Sequence, residues 1–258
     1  MVFHSDLDNT LIYSYKHEIG IHKKCVEIYQ NREISYMTDV SAALLKRLRQ
    51  KALFVPTTTR TAEQYKRIRL GEQPPEYALV CNGGVLLVHG EKDMNWYDES
   101  RELLADCQWE LHDAQKLLQT DGNVNFEVRN IEELFVFTKS ARPKQTVWRL
   151  QNYLEGSQLE VFSNGVKVYA VPKKLSKGEA VRRFRRKVQA GMVAAAGDSR
   201  FDISMLEEAD LALAEYGLMG ENIQGEHVVY LGEHGIFSDE ALKYILSEGE
   251  RYEIKLKF

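Results

Sequence analysis

Cysteine is scarce in this chain. Cys25, Cys81 and Cys107 are the only three among 258 residues, and an odd number at scattered positions makes neither a disulfide framework nor a zinc spacing. Reduced thiols in a cytoplasmic compartment are therefore expected. Five prolines and 17 glycines leave no stretch that reads as a flexible linker, a low-complexity tract or an internal repeat. Long apolar runs are missing as well: none approaches the roughly 18 residues of a membrane span. Residues 1–6 also lack the basic and apolar regions of a signal peptide. The formal net charge is only -4 and the pI near 6.0, which argues against a nucleic-acid reader, because neutralising a phosphate backbone takes clustered positive charge. The one dense basic run, Arg182, Arg183, Arg185, Arg186 and Lys187, alternates with Val181, Phe184 and Val188 at helical spacing and reads as a solvated helix face. Neither nucleic acid nor a membrane is expected as a partner. The seven histidines form no His-Glu-x-x-His or His/Cys cluster, so zinc catalysis has no support. The glycines form neither Gly-x-Gly-x-x-Gly nor a loop ending in Gly-Lys-Ser, which removes dinucleotide and ATP sites.

What is present is a core: 44% of the residues are hydrophobic, enough for one large domain or two modest ones. Residues 2–5, 52–56, 77–81, 192–196 and 211–213 read as buried strands. Helical segments separate most of them, among them 41–50 with Leu44, Leu45 and Leu48 on one face, and 61–69 opening on a capping threonine. Strands alternating with helices imply βαβ units, so the expected fold class is α/β with a Rossmann-like parallel sheet. Between residues 85 and 172 the pattern changes to a long helix over 98–119, strands near 124–128 and 134–138, a helix over 144–154 and a hairpin turning at Asn164-Gly165. That is α-β-β repeated twice, an inserted α+β domain over 85–172 between core segments 1–84 and 173–258. Gly83-Gly84 and Val171-Pro172 are its candidate hinges. Trp96, Trp109 and Trp148 fall inside it, where burial is the expected role for most of them and stacking on a sugar or base the alternative.

Two segments carry paired carboxylates. Asp6-Leu7-Asp8-Asn9-Thr10 follows a strand directly, and open α/β sheets place ligands at the carboxyl ends of strands beside a topological switch point. Such a pair can divide labour: Asp6 attacks phosphorus, while Asp8 gives a proton to the leaving oxygen and later takes one from water. An Asx turn closing a strand end is the alternative. Gly197-Asp198-Ser199-Arg200-Phe201-Asp202 repeats the arrangement. Mg²⁺ prefers oxygen ligands, so Asp6, Asp8, Asp198 and Asp202 form a candidate metal set. Asp198 and Asp202 also suit the N-terminus of the helix holding Ile203, Met205 and Leu206, a reading under which Asp202 does nothing else. Thr58 after one strand and Lys177 before a helix are of types that hold phosphoryl oxygens.

In the order Asp-x-Asp-x-Thr, Thr-x-Arg, Lys-Gly and Gly-Asp-Ser-x-x-Asp, these segments resemble the haloacid dehalogenase superfamily of phosphatases across essentially the whole chain. The insertion resembles a C2-type cap, as in the sucrose-phosphatase, mannosyl-3-phosphoglycerate phosphatase and Cof-like branch. The resemblance implies Asp6 as nucleophile, Asp8 as general acid/base, Thr58 and Lys177 as phosphate holders, and Mg²⁺ on Asp6, the Asp8 carbonyl and Asp198. It further implies a cap closing over the site and a small phosphorylated metabolite, such as a sugar phosphate, as substrate. Phe201 departs from the pattern at a place where asparagine is usual, and Asn9 replaces a commoner glycine. A phosphotransferase or mutase using the same intermediate remains open, as does a binding protein of this fold.

Overall fold

The computed structural model describes residues 1–224 and 227–255, and the chain divides into two compact units, Met1–Lys92 with Ser176–Phe258, and Asp93–Leu175. The first unit begins β1 (Val2–Ser5), β2 (Tyr13–Ser14), β3 (Lys23–Tyr29), β4 (Arg32–Thr38), α1 (Asp39–Leu48), β5 (Leu53–Pro56), α2 (Ala62–Tyr65), β6 (Tyr77–Val80), β7 (Val85–Val88) and β8 (Glu91–Lys92). The second holds α3 (Met94–Leu103), α4 (Gln108–Gln119), β9 (Arg129–Ile131), β10 (Phe135–Lys139), α5 (Pro143–Tyr153), β11 (Leu159–Asn164) and β12 (Lys167–Pro172). The chain then returns through α6 (Lys177–Val188), β13 (Val193–Gly197), α7 (Arg200–Glu207), β14 (Leu211–Glu215), β15 (Val228–Leu231) and α8 (Phe237–Lys255).

The core of the first unit is a five-stranded parallel sheet in the order β15-β14-β13-β1-β5. Its inner strands are buried at nearly every position, as expected where helices cover both faces. The chain builds outward from β1 to β5 on one side and later from β13 on the other, so the strand order reverses at β1. Ser5 pairs with Ala196 on one side and Pro56 on the other. The three strands therefore end within one residue of one another, and Asp6, Thr57 and Asp198 follow them at one edge.

Several elements differ from the sequence expectation. Residues 77–80, read as a parallel strand, form an antiparallel sheet with β7 and β8 and touch the parallel sheet through a single Thr57–Leu79 bridge. Gly83 and Gly84 belong to the turn of that hairpin, and the inserted unit starts at Asp93 instead of 85. The expected helix over 98–119 is two helices, α3 capped by Asp93 and α4, separated by a 3₁₀ turn at Ala105–Cys107. Helix α2 is a single turn, because the chain leaves it to bridge Ile68 to Glu27 on β3. The β3–β4 hairpin and β15 had no counterpart in the sequence reading.

The inserted unit is a four-stranded antiparallel sheet, β11-β12-β10-β9. Leu111, Ala114 and Leu118 of α4 and Leu150 of α5 cluster with Val136, Val161, Val168 and Ala170 of the sheet. The tryptophans divide differently from expectation: Trp96 is buried, but Trp109 and Trp148 are each 65% exposed. Neither lies on the face of its helix that meets the sheet.

In the first unit, α6 and α7 approach closely enough that the N–H of Gly178 donates to Ser204 Oγ at 3.1 Å. A Cβ at Gly178 would lie 2.3 Å from the Ser204 carbonyl oxygen, and two backbones cannot yield as a flexible side chain can. Gly178→Ala is expected to destabilise the protein by about 1–3 kcal/mol, read as a lower urea midpoint with an unchanged m-value.

Candidate active site

The carboxyl edge of the sheet assembles the chemistry. Asp6 follows β1, its N–H donating to the Ala196 carbonyl at 3.0 Å. Lys177, the first residue of α6, is brought there because Ser176 caps the helix by accepting from the Glu179 N–H. Its Nζ donates to Asp6 Oδ1 at 2.7 Å and to Asp202 Oδ1 at 2.6 Å, and the ammonium is 1% exposed. Burial alone would lower the Lys177 pKa, but Asp202 and Asp6 outweigh it and hold it above its ordinary value. The Asp6 pKa is raised as well. Burial raises it well above the usual range, Lys177 opposes this, and Asp202, Asp198 and Asp8 add to the rise.

Asp202 Oδ2 accepts from the N–H groups of Asp198 and Ser199 and from Ser199 Oγ, at 3.2, 3.0 and 2.8 Å. This is a capping box at the start of α7. A Cβ at position 197 would lie 2.3 Å from Asp202 Cβ, so glycine is what lets β13 end against this carboxylate. With four donors on its two oxygens, Asp202 anchors Lys177 and the turn. That is the helix-start role the sequence offered for it beside metal binding. Asp6, Asp198 and Asp202 do offer oxygens within 4.8 Å of one another, and Asp6 and Asp198 are the two less fully engaged. Asp198 accepts from Thr10 Oγ1 at 2.6 Å, and burial, with Asp202 next to it, pushes its pKa up to about 7. An all-oxygen donor set with unrelieved like charge fits a hard divalent cation.

Asp8 is held differently. Arg60 forks it, Nε to Oδ2 and NH2 to Oδ1, both at 2.7 Å, in the bidentate geometry of a charge-assisted pair. The Asp8 side chain is 48% exposed. Thr58 lies just past β5, its N–H donating to Leu79 O and its Oγ1 accepting from the Arg60 N–H. All six expected residues, Asp6, Asp8, Thr58, Lys177, Asp198 and Asp202, thus stand on the loops and helix starts at one end of the sheet.

A sequence profile of the haloacid dehalogenase-like hydrolases matches residues 82–215, just over half of the chain. The chain belongs to that family. Among solved structures it is similar to a Synechocystis sucrose-phosphatase determined with sucrose and phosphate, at 17% identity and TM-score 0.67, covering 96% of this chain and 97% of that one. A trehalose-6-phosphate phosphatase related protein follows at 16% identity, TM-score 0.57 and 98% and 100% coverage. A haloacid dehalogenase-like hydrolase from Bacteroides thetaiotaomicron gives 16%, 0.55, and 95% and 98%. At such identities the likeness establishes the fold, a haloacid dehalogenase core with an inserted cap unit. No curated protein matches the sequence significantly.

For this haloacid dehalogenase-like chain, the sequence reading missed Arg60, Thr10 and Glu27. Arg60 and Thr10 sit inside the quoted motifs, and their signal was a cation or hydroxyl beside a carboxylate pair. Glu27 had none. Phe201, the departure from the family pattern, lies in the first turn of α7. Replacing Lys177 by methionine leaves Asp6 and Asp202 buried without their shared cation, and Lys177→Met is expected to cost about 3–5 kcal/mol of stability at neutral pH. The deficit should shrink as pH falls and the carboxyls take up protons, which urea titrations at pH 5 and 8 would read.

Proposed function

We propose that this protein is a Mg²⁺-dependent phosphatase that hydrolyses monoesters of sugars or related small metabolites through an aspartyl-phosphate on Asp6. The observation that carries the reading is the Lys177 ammonium 2.7 Å from Asp6, with Asp198 close by and Asp8 two residues on. That set supplies a nucleophile, a fixed countercharge and a separate acid. The Asp6 carboxylate attacks phosphorus and the bond to the leaving oxygen breaks as Asp8 protonates that oxygen. Asp8 then takes a proton from the water that attacks the acyl-phosphate, freeing phosphate and Asp6. Thr58 and Lys177 hold the phosphoryl oxygens, with no reorganisation needed as charge develops. Mg²⁺ on Asp6, the Asp8 carbonyl and Asp198 would offset the charge gathered there. The partner is a small phosphorylated metabolite, with neither nucleic acid nor membrane involved. No described helix is long and apolar enough to cross a membrane, and the three cysteines form no disulfide among the described residues; the location proposed with this reading is the cytoplasm.

A panel of phosphorylated sugars and an aryl phosphate, assayed for released phosphate, tests the reading. Turnover that persists in excess chelator defeats the metal assignment. The pH dependence has a definite sign. Raised carboxyl pKa values mean that the metal-free folded state still holds protons that the unfolded chain has released between about pH 4 and pH 7, so its stability falls as pH rises through that window. The same protons must leave before the carboxylates ligate, so Mg²⁺ should raise the melting temperature more at pH 8 than at pH 5. Equal shifts at both values contradict this.

Asp6→Asn should leave no acyl-phosphate to trap with borohydride during turnover of an aryl phosphate. Asp8→Asn should still form it, while steady-state hydrolysis slows by about 10²–10⁴-fold. Label recovered on Asp8 reverses the two assignments.

A further inference from the structure

The β3–β4 hairpin has no part in the reaction as described, yet it carries a fully buried carboxylate. Glu27 Oε2 accepts from Ser35 Oγ at 2.7 Å and from Arg60 NH1 at 2.8 Å, and Oε1 accepts from Arg67 Nε at 3.1 Å. Arg60 spends its remaining fork on Asp8. The side chains grade from 0% exposed at Glu27, through 14% at Arg60, to 48% at Asp8. Glu27 sits between two register irregularities of β3, and bulges of this kind re-aim a side chain. It is bridged to Ile68, so the hairpin is tied to the segment that follows Arg60.

We propose that Glu27 is a positioning residue for proton transfer: it anchors Arg60, so that Asp8, and not the guanidinium, moves when a phosphate ester binds. The inference rests on the phosphatase reading above. To protonate a leaving oxygen, Asp8 must give up at least one of its two bonds to Arg60. A buried charge cannot move without losing its partner, whereas a half-exposed one exchanges it for water or substrate. The fixed end of the chain is therefore Glu27 and the mobile end is Asp8. Without the Glu27 charge, Arg60 is held only by Asp8 and is drawn toward the incoming dianion, for which a guanidinium has a strong bidentate preference. Asp8 would then remain tethered or follow it, away from the bridging oxygen.

The defect should fall on esters whose leaving groups need a proton. With substituted phenyl phosphates from p-nitrophenyl to p-methoxyphenyl, Glu27→Gln is expected to lower kcat/KM roughly 10- to 100-fold for the most basic phenol, and roughly 3-fold or less for p-nitrophenol, out of the 10²–10⁴ that proton transfer contributes. Arg67→Met, which removes another partner of the same carboxylate, should lower thermal stability and leave the leaving-group dependence as in the wild type. A parallel loss on all esters in Glu27→Gln, or the same steepening in Arg67→Met, makes Glu27 a merely structural ion and overturns the proposal. If Glu27→Gln does not fold, Glu27→Asp, which withdraws the charge by one methylene, carries the same expectation and the same refutation. Absence of turnover by the wild type sinks the phosphatase reading itself. In that event a crystal structure of the variant still decides the anchor: Arg60 displaced from its fork on Asp8 upholds it, and Arg60 unmoved overturns it.

Discussion

The ammonium of Lys177, shared between Asp6 and Asp202 in a space closed to water, is the interaction around which this site is arranged. A buried charge of this kind is tolerated only with both partners present, and its partners lie 171 and 25 residues away in the chain. Three local structures must therefore form together: the end of β1, the capped start of α6 and the capping box of α7. Gly178 and Gly197 are the points where backbone and side chain come too close for a Cβ, so the two glycines belong to the electrostatics of the site as much as to its packing.

The charges of the site do not balance by themselves. Asp6, Asp8, Asp198 and Asp202 face Lys177 and Arg60, leaving an excess of two negative charges. Burial first, and then the repulsion of neighbouring carboxylates, raises the carboxyl pKa values of Asp6 and Asp198. Under the proposed reading a divalent cation is what the protein lacks in charge, and the substrate dianion then needs the cations already present. The two acids of the first motif are separated by the same logic. Asp6 is buried against Lys177 and aimed by β1, whereas Asp8 is half-exposed and held by an arginine, which suits one to fixed attack and the other to movement.

Much of this was legible in the chain as letters. Four of the five parallel strands announced themselves because both of their faces are buried and most of their residues are apolar, whereas β15, half-buried along its length, did not; the carboxylates stood directly after two of those runs. The hairpin of β3 and β4 was not legible, since its strands are partly exposed without a clean alternation and joined through Gln30 and Asn31, both at positive φ, without the usual glycine. The exposed Trp109 and Trp148 were misjudged for a related reason: hydrophobicity indicates which residues gain by burial, not which helix face the sheet beneath will cover.

The sequence by itself determined the fold family, the strand-end placement of Asp6, Asp8 and Asp198, and the types of group available for chemistry, because these depend on short-range patterns of burial and on residues adjacent in the chain. Only the tertiary structure decided who pairs with whom. Asp202 became the anchor of Lys177, Asp198 the partner of Thr10, and Asp8 the end of a chain running through Arg60 to Glu27. Each of those choices is made by a donor brought from a distant segment to a carboxylate already out of water. Desolvation makes an unpaired charge too costly to leave, but it carries no record in the local sequence of which partner will arrive.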